Sequence, residues 1–389
     1  MTLYISTGMK LVTFYAVVSI LLLLSGSFRP VYNWDLIPYI ASAKALECSD
    51  PIQIHSFAYS VIGKTSATRM YSISTTHVDS LYRDSMRTDY SAFSYQLAFY
   101  KVRVLYILLI YLMFSVGINP VFATHFISAV SVFLATWILF LIGRDRFSIP
   151  LRYAILPIVL AFGALQIAGL STPDALAFLV VLSIIFFFYT DNPAIYVFSP
   201  LLVAVRTDLL ILIVLLYLSL LLLKPAKKLL ALVSLGISIG TFLILHWHYG
   251  YPGWKSVFYL TFLDKLTLTT PRVFGLDLYF YALFRGLWIA IKSPEFLFFS
   301  AIAGLGLFVS FRKFNRKFLF ETLKSKSVIL LLVSICYVVI RMIVFPLPEA
   351  RFFVCAYAMA TISFFDLLSS EMRSLDQTIP TSGNLPSRS

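Results

Sequence analysis

The chain has 389 residues, of which 60% are hydrophobic, 16% aromatic and only 13% charged. Soluble domains carry about 25% charged residues, so this composition, with a mean hydropathy of +0.88, excludes a soluble globular domain. The formal net charge is +13. The excess sits in short loops between apolar blocks rather than on a polar face, which points to a membrane protein and away from a nucleic-acid binder.

The first apolar block follows Lys10 and ends in "SGSF". No small-x-small cleavage site is present, so it reads as a retained first helix rather than a signal peptide. A span needs about 20 apolar residues. Blocks of that kind cover 10–27, 121–142, 152–170, 173–190, 194–207, 208–224, 228–247, 294–311, 327–346 and 350–368. About ten transmembrane helices are therefore expected. Backbone groups in lipid must be paired within a segment, which favours helices, and no period-two alternation suggests a barrel. The pair 194–207 and 208–224 is interrupted by Arg206-Thr207-Asp208. That is the pattern of two short helices meeting at a polar point.

Two apolar runs, 104–118 and 277–292, are short for spans. Charge decides their placement. With the N-terminus inside and both runs lying on the outer surface as amphipathic helices, four basic loops fall inside. These are "GRDRFSIPLR" at 143–152, "KPAKK" at 224–228, "RKFNRK" at 312–317 and "KSK" at 324–326. Two polar regions, 28–103 and 247–293, then lie outside. The expected fold is one all-α polytopic membrane domain over 1–369, followed by a disordered cytoplasmic tail over 370–389. Cys48, Cys336 and Cys355 are isolated and have no metal spacing.

The residues that could carry chemistry sit at the outer helix ends. Asp35, in "VYNWDLIPYIASAKALE", has two readings. It reads as an N-cap for a helix starting near Leu36 and as a general base, and the two are compatible, since a cap can hold a catalytic carboxylate still. Aromatic neighbours and lipid would raise its pKa toward working pH. Asp174, behind Ser171-Thr172-Pro173, and Asp208 each read as a cap or a cavity charge. Arg206 either pairs with Asp208 or faces ligand. Arg341 lies inside a span, while Glu349 and Arg351 share a Pro-bracketed turn, where an arginine either suits a phosphate or simply snorkels to the interface or pairs with Glu349. His246 and His248, with Lys255, Lys265, Arg272 and Arg285, form a basic stretch. Two histidines without a third ligand do not make a metal site.

The order of these features resembles the GT-C superfamily of membrane glycosyltransferases, which includes protein O-mannosyltransferases and the lipid A aminoarabinose transferase. The family places an acid after the first helix ahead of "xxxYxxxA"; here Asp35 precedes Tyr39, Ala41 and Ala43. Its short surface helix and following helix match "KVRVLYILLIYLMFSVGINPVFATHFISAVSVFLATWILFLIGRDRFS". Its Thr-x-Asp matches Thr172-Pro173-Asp174, and its polar turn matches "PEARFFVCAYA". The family's Pro-Pro is absent, since residues 101–103 read Lys-Val-Arg. No Asp-x-Asp follows the first helix, so no cofactor is implied and a divalent metal is not supported.

The resemblance implies an enzyme that transfers a sugar from a polyprenyl-phosphate donor to a lipid, glycan or protein acceptor on the outer face, with inversion. Asp35 would be the base. Tyr39, Asp174, Arg206, Asp208, Lys265, Arg285, Glu349 and Arg351 would bind substrate. A multi-pass protein of the bacterial inner membrane is expected, with both termini cytoplasmic and no nucleic-acid partner. Two other readings share such a cavity: a flippase for a lipid-linked sugar, and a polysaccharide polymerase or ligase.

Overall fold

The computed structural model describes residues 2–65, 80–223, 227–262, 275–312 and 324–378. Among them the protein is all helical, with one isolated bridge between Val31 and Leu170. Seven helices are long and apolar enough to cross a membrane. They are α1 (Thr2–Phe28), α7 (Pro120–Arg146), α8 (Ile149–Ala168), α12 (Lys228–His248), α15 (Pro294–Phe311), α16 (Lys326–Val344) and α17 (Ala350–Thr378). The protein is thus an all-α polytopic membrane protein. The other three expected spans form shorter apolar helices: α9 (Asp174–Thr190), α10 (Ile195–Val205) and α11 (Leu210–Leu223).

Before α7 come five further helices. These are α2 (Leu36–Lys44), α3 (Pro51–Thr65), α4 (Ser80–Thr88), α5 (Tyr90–Lys101) and α6 (Val104–Ser115). Leu36, Ile37, Ile40, Ile54, Met86 and Phe93 pack α2, α3, α4 and α5 into a small core of their own with Val121 of α7, while Tyr106, Ile107 and Ile110 of α6 join the main core. The run expected as a surface helix at 104–118 is α6. It meets α5 at 109°, and the bent pair together has the length and hydropathy of one broken span. The second surface run is α14 (Leu276–Lys292), preceded by α13 (Trp254–Phe262).

Helices α7 and α17 sit at the centre. In the most apolar stretch of α17, 78% of residues are buried, against 17% in α12 on the periphery. The main core runs through α7, α9, α16 and α17, with Tyr337, Phe353, Tyr357 and Leu182 all enclosed. Pro157 lies inside α8, and a π-turn follows at Leu160–Ala164. Gly163 has φ +109° there, a conformation open to glycine and strained for other residues. The turn brings Gly163 against the first residue of α17, Ala350.

The four central helices carry polar groups at both ends. At one end Asp366 on α17 accepts from Arg146 on α7 at 3.1 Å and from the Ser327 hydroxyl on α16. The Arg146 guanidinium also lies over the Tyr189 ring of α9 at 4.1 Å. The other end is the beginning of α17. At 1.5 Å per residue, Arg351 lies about 22 Å from Asp366 along the helix.

Candidate functional site

Three chain crossings converge at the Arg351 end. The segment after α1 is tied to the turn after α8, because the Val31 amide donates to the Gly169 carbonyl at 2.9 Å. This places Asp35, at the entry to α2, beside the turn that leads to Asp174. Asp35 occupies the N-cap position, yet its side chain accepts no helix N–H. Instead Oδ1 accepts from the Tyr100 hydroxyl at 2.9 Å. Oδ2 accepts from Asn33 Nδ2 at 2.9 Å and from Arg351 Nη1 at 2.9 Å. The capping reading of Asp35 therefore gives way to a carboxylate held by three donors.

That arrangement also reverses the expected acidity. Burial favours the neutral acid and is the largest influence on Asp35. The Arg351 charge and hydrogen bond, the Tyr100 hydroxyl and the Arg103 charge together outweigh it. The Asp35 carboxyl is held below the ordinary aspartate range instead of being raised toward neutrality.

A second ion-pair group lies deeper. Arg206 ends α10 and precedes a 3₁₀ turn at Thr207–Leu209. Its Nη1 pairs with Asp174 Oδ1, while Nε and Nη2 form a fork on Asp208 at 3.0 and 2.6 Å. Asp174 is the first residue of α9 and accepts from its neighbour Thr172 at 2.8 Å, rather than capping the helix. The expected Arg206–Asp208 pair is present, and Asp174 joins it. Arg341 on α16 adds a second cation 3.7 Å from Asp208.

Phe352 links the two groups. The guanidinium carbons of Arg206, Arg341 and Arg351 lie 5.2, 5.4 and 4.7 Å from its ring centroid. Such geometry lets an aromatic ring hold cations near one another. A further cation comes from Arg103, in the bend between α5 and α6. It lies 5.8 Å from the Tyr39 ring and 5.4 Å from the Tyr100 ring. Tyr39 is buried, edge-on to both Tyr100 and Tyr106. Glu349 is at the rim, 46% exposed, and accepts from Arg351 Nε at 2.6 Å.

The structure thus brings together Asp35, Tyr39, Asp174, Arg206, Asp208, Glu349 and Arg351 from the sequence-derived set. Arg285 does not join them; it is exposed on α14. Lys265 and Arg272 lie outside the described residues. His246 packs its ring on Phe242 and Tyr251 at 3.9 and 4.3 Å. Among the described residues no group of three His, Cys, Asp or Glu could hold a metal ion.

Sequence reasoning passed over Arg103, Tyr100 and Asn33, and gave Arg341 no place in the site. Arg103 had a signal: it is a cation flanked by Tyr100 and Tyr106 between two apolar helices. Chemically, four guanidinium groups face three buried or half-buried carboxylates. Among the described residues, the buried polar atoms here without a partner include Arg341 Nε, Asn33 Oδ1 and the hydroxyl of the fully buried Tyr337. Such a cluster can bind an anion by exchanging carboxylate partners for ligand oxygens. Compared with protein-family models, curated proteins and solved structures, the chain matches none.

Proposed function

We propose that the protein is a GT-C-like membrane glycosyltransferase that uses a polyprenyl-phosphate-linked sugar as donor. The observation that carries this reading is the Asp35–Arg351 contact: a carboxylate and a phosphate-binding cation share one site. The resemblance in feature order around Asp35, Asp174 and Arg351 supports it. In this reading α9, α10 and α11 count as spans, giving the expected ten, and the site faces outward from a bacterial inner membrane with both termini cytoplasmic.

The reaction follows from the charges. The donor phosphate takes Arg351, with Arg103 and Arg341 within reach of the same cluster. Losing Arg351 removes the main influence that keeps the Asp35 carboxyl acidic. Burial then dominates, and Asp35 becomes a stronger base once donor is bound. It accepts the proton of an acceptor hydroxyl. The acceptor oxygen bonds to the anomeric carbon from the face opposite the phosphate, and that carbon's bond to the phosphate oxygen breaks. The electron pair leaves with polyprenyl phosphate, whose charge the arginines stabilise. The sugar inverts. Buried Arg206 holds Asp174 and Asp208 in place, and Tyr39 lines the floor beneath Arg103.

The test is release of polyprenyl phosphate from a panel of polyprenyl-phosphate sugars, with a lipid extract as acceptor and purified protein in detergent. Wild type releases it, while folded Asp35→Asn is slower by roughly 10²-fold or more. Equal rates for the two proteins would remove Asp35 as the base. One observation favours a second reading. Polar clusters at both ends of α7, α9, α16 and α17 are what a flippase with two gates requires. A flippase would move lipid-linked sugar across a reconstituted bilayer without releasing polyprenyl phosphate.

A further inference from the structure

Helix α16 ends at Val344, and α17 begins at Ala350. The five residues between them contain Pro346 and Pro348. This short connection delivers Arg341, from the last turn of α16, and Arg351, from the first turn of α17, to the site. A helix C-terminus leaves its last carbonyls without intrahelical donors. Here two of them are met by aromatic side chains from other helices. Trp254 Nε1 on α13 donates to the Val344 carbonyl at 2.7 Å, and the Tyr279 hydroxyl on α14 donates to the Ile343 carbonyl at 2.7 Å.

Packing adds to these bonds. Phe258, Ala282 and Phe345 form a small separate core, with Val257, Phe262, Tyr279 and Leu347 against it. The Phe262 and Phe345 ring centroids are 5.0 Å apart. Gly286 touches the connection directly, since a Cβ there would run into the Pro346 carbonyl oxygen. On α14 the buried positions Ala282, Gly286 and Ala290 recur every four residues. A stripe of small residues lets the helix lie close to the connection.

The opposite face of α14 is large and aromatic. Phe280, Tyr281, Phe284 and Trp288 are 49%, 61%, 66% and 61% exposed. Lys292 Nζ lies 4.3 Å from the Trp288 ring centroid. Ser293, in extended conformation, ends α14 and caps α15, whose exposed Leu297, Phe298, Leu305 and Phe308 add to the apolar surface. Aromatic rings with flanking lysine and arginine suit the lipid–water boundary.

We propose that α13 and α14 form a membrane-seated clamp in which Trp254, Tyr279 and Gly286 are positioning residues. They fix the 341–351 connection, and with it the spacing of Arg341 and Arg351. The occupant of the outward face of α14 is lipid, so seating in the boundary and the geometry of the arginines are coupled. The consequence for donor binding rests on the glycosyltransferase reading; the clamp itself does not.

The experiment uses the full chain in lipid nanodiscs and has two readouts. Trp254→Phe/Tyr279→Phe keeps both rings and removes both donors. Phe284→Ser/Trp288→Ser removes lipid anchors without touching the connection. Amide hydrogen exchange of the 344–349 stretch is measured first, together with a distant stretch of α7 as the folding control. Both double variants are expected to speed exchange of the Phe345 and Leu347 amides about tenfold and leave α7 unchanged. Unchanged exchange in the Trp254/Tyr279 variant overturns the clamp. Unchanged exchange in the Phe284/Trp288 variant overturns the lipid coupling. The second readout is polyprenyl-phosphate release, where KM for the donor should rise more than kcat falls. Faster exchange with an unaltered donor KM overturns the positioning role. If wild type releases nothing while exchange still responds, the clamp stands and the glycosyltransferase reading falls.

Discussion

Replacing Arg206 by methionine tests whether the deeper ion-pair group holds this end of the bundle together. The Arg206 and Asp174 side chains are 5% and 4% exposed, so solvent screening does little for this pair. Asp208 is 33% exposed and keeps Arg341 at 3.7 Å, so it is the better protected of the two carboxylates. The cost therefore concentrates on Asp174, which retains only the Thr172 hydroxyl among its named donors. Removing one partner of a buried pair costs about 3–5 kcal/mol, because a charge is stranded. That corresponds to roughly 10²- to 10³-fold or more in the unfolding equilibrium. Unfolding is followed in mixed micelles by titration with dodecyl sulfate and by dye labelling of buried Cys355, with Cys48 and Cys336 changed to serine. Adding Asp174→Asn to Arg206→Met removes the stranded charge and should recover about 1–3 kcal/mol. A loss below about 1 kcal/mol for Arg206→Met, or a double variant as unstable as the sum of the singles, would refute this account.

Three further outcomes follow from the geometry. The lowered Asp35 pKa means that its pairing stabilises the fold fully above the unfolded-state value of about 3.9 and is lost as pH falls through the lower folded-state value. The acid limb of kcat/KM, which reports the free protein, should therefore lie below about pH 4. The limb for kcat should lie higher, since donor removes Arg351 from Asp35; coincident limbs would count against that exchange of partners. Tyr100→Phe removes one of the groups that lower the Asp35 pKa, so the kcat/KM limb should move upward, and a downward or absent shift would contradict the assignment. Gly163→Ala should destabilise the protein by about 1–2 kcal/mol in the same unfolding titration, because φ is +109° there.

The spans were legible because lipid leaves a chain few choices. Apolar blocks of sufficient length must pair their backbone groups internally, so seven of the expected spans coincide with long apolar helices. The same rule is weaker for 173–190, 194–207 and 208–224. There the helices are shorter, and the polar triplet at Arg206 interrupts them. Candidate site residues were legible where a charge stood beside an apolar block, as Asp35, Asp174 and Arg351 do. Arg103 was harder to read, because its role depends on a 109° bend that no local pattern announces.

By itself, then, the sequence determined that the chain is helical, that it is built for a membrane, and which ends of the helices carry charge. Hydropathy and propensity act over one helix at a time, and those properties are local. Only the tertiary structure decided which charges meet. Asp35 and Arg351 are 316 residues apart, and Arg206 reaches Asp174 across 32. The packing of α2, α5, α9, α10, α16 and α17 at one end of the bundle brings them together. It also decided the sign of the Asp35 shift. Burial alone would raise the Asp35 pKa, and a cation supplied from the far end of the chain lowers it.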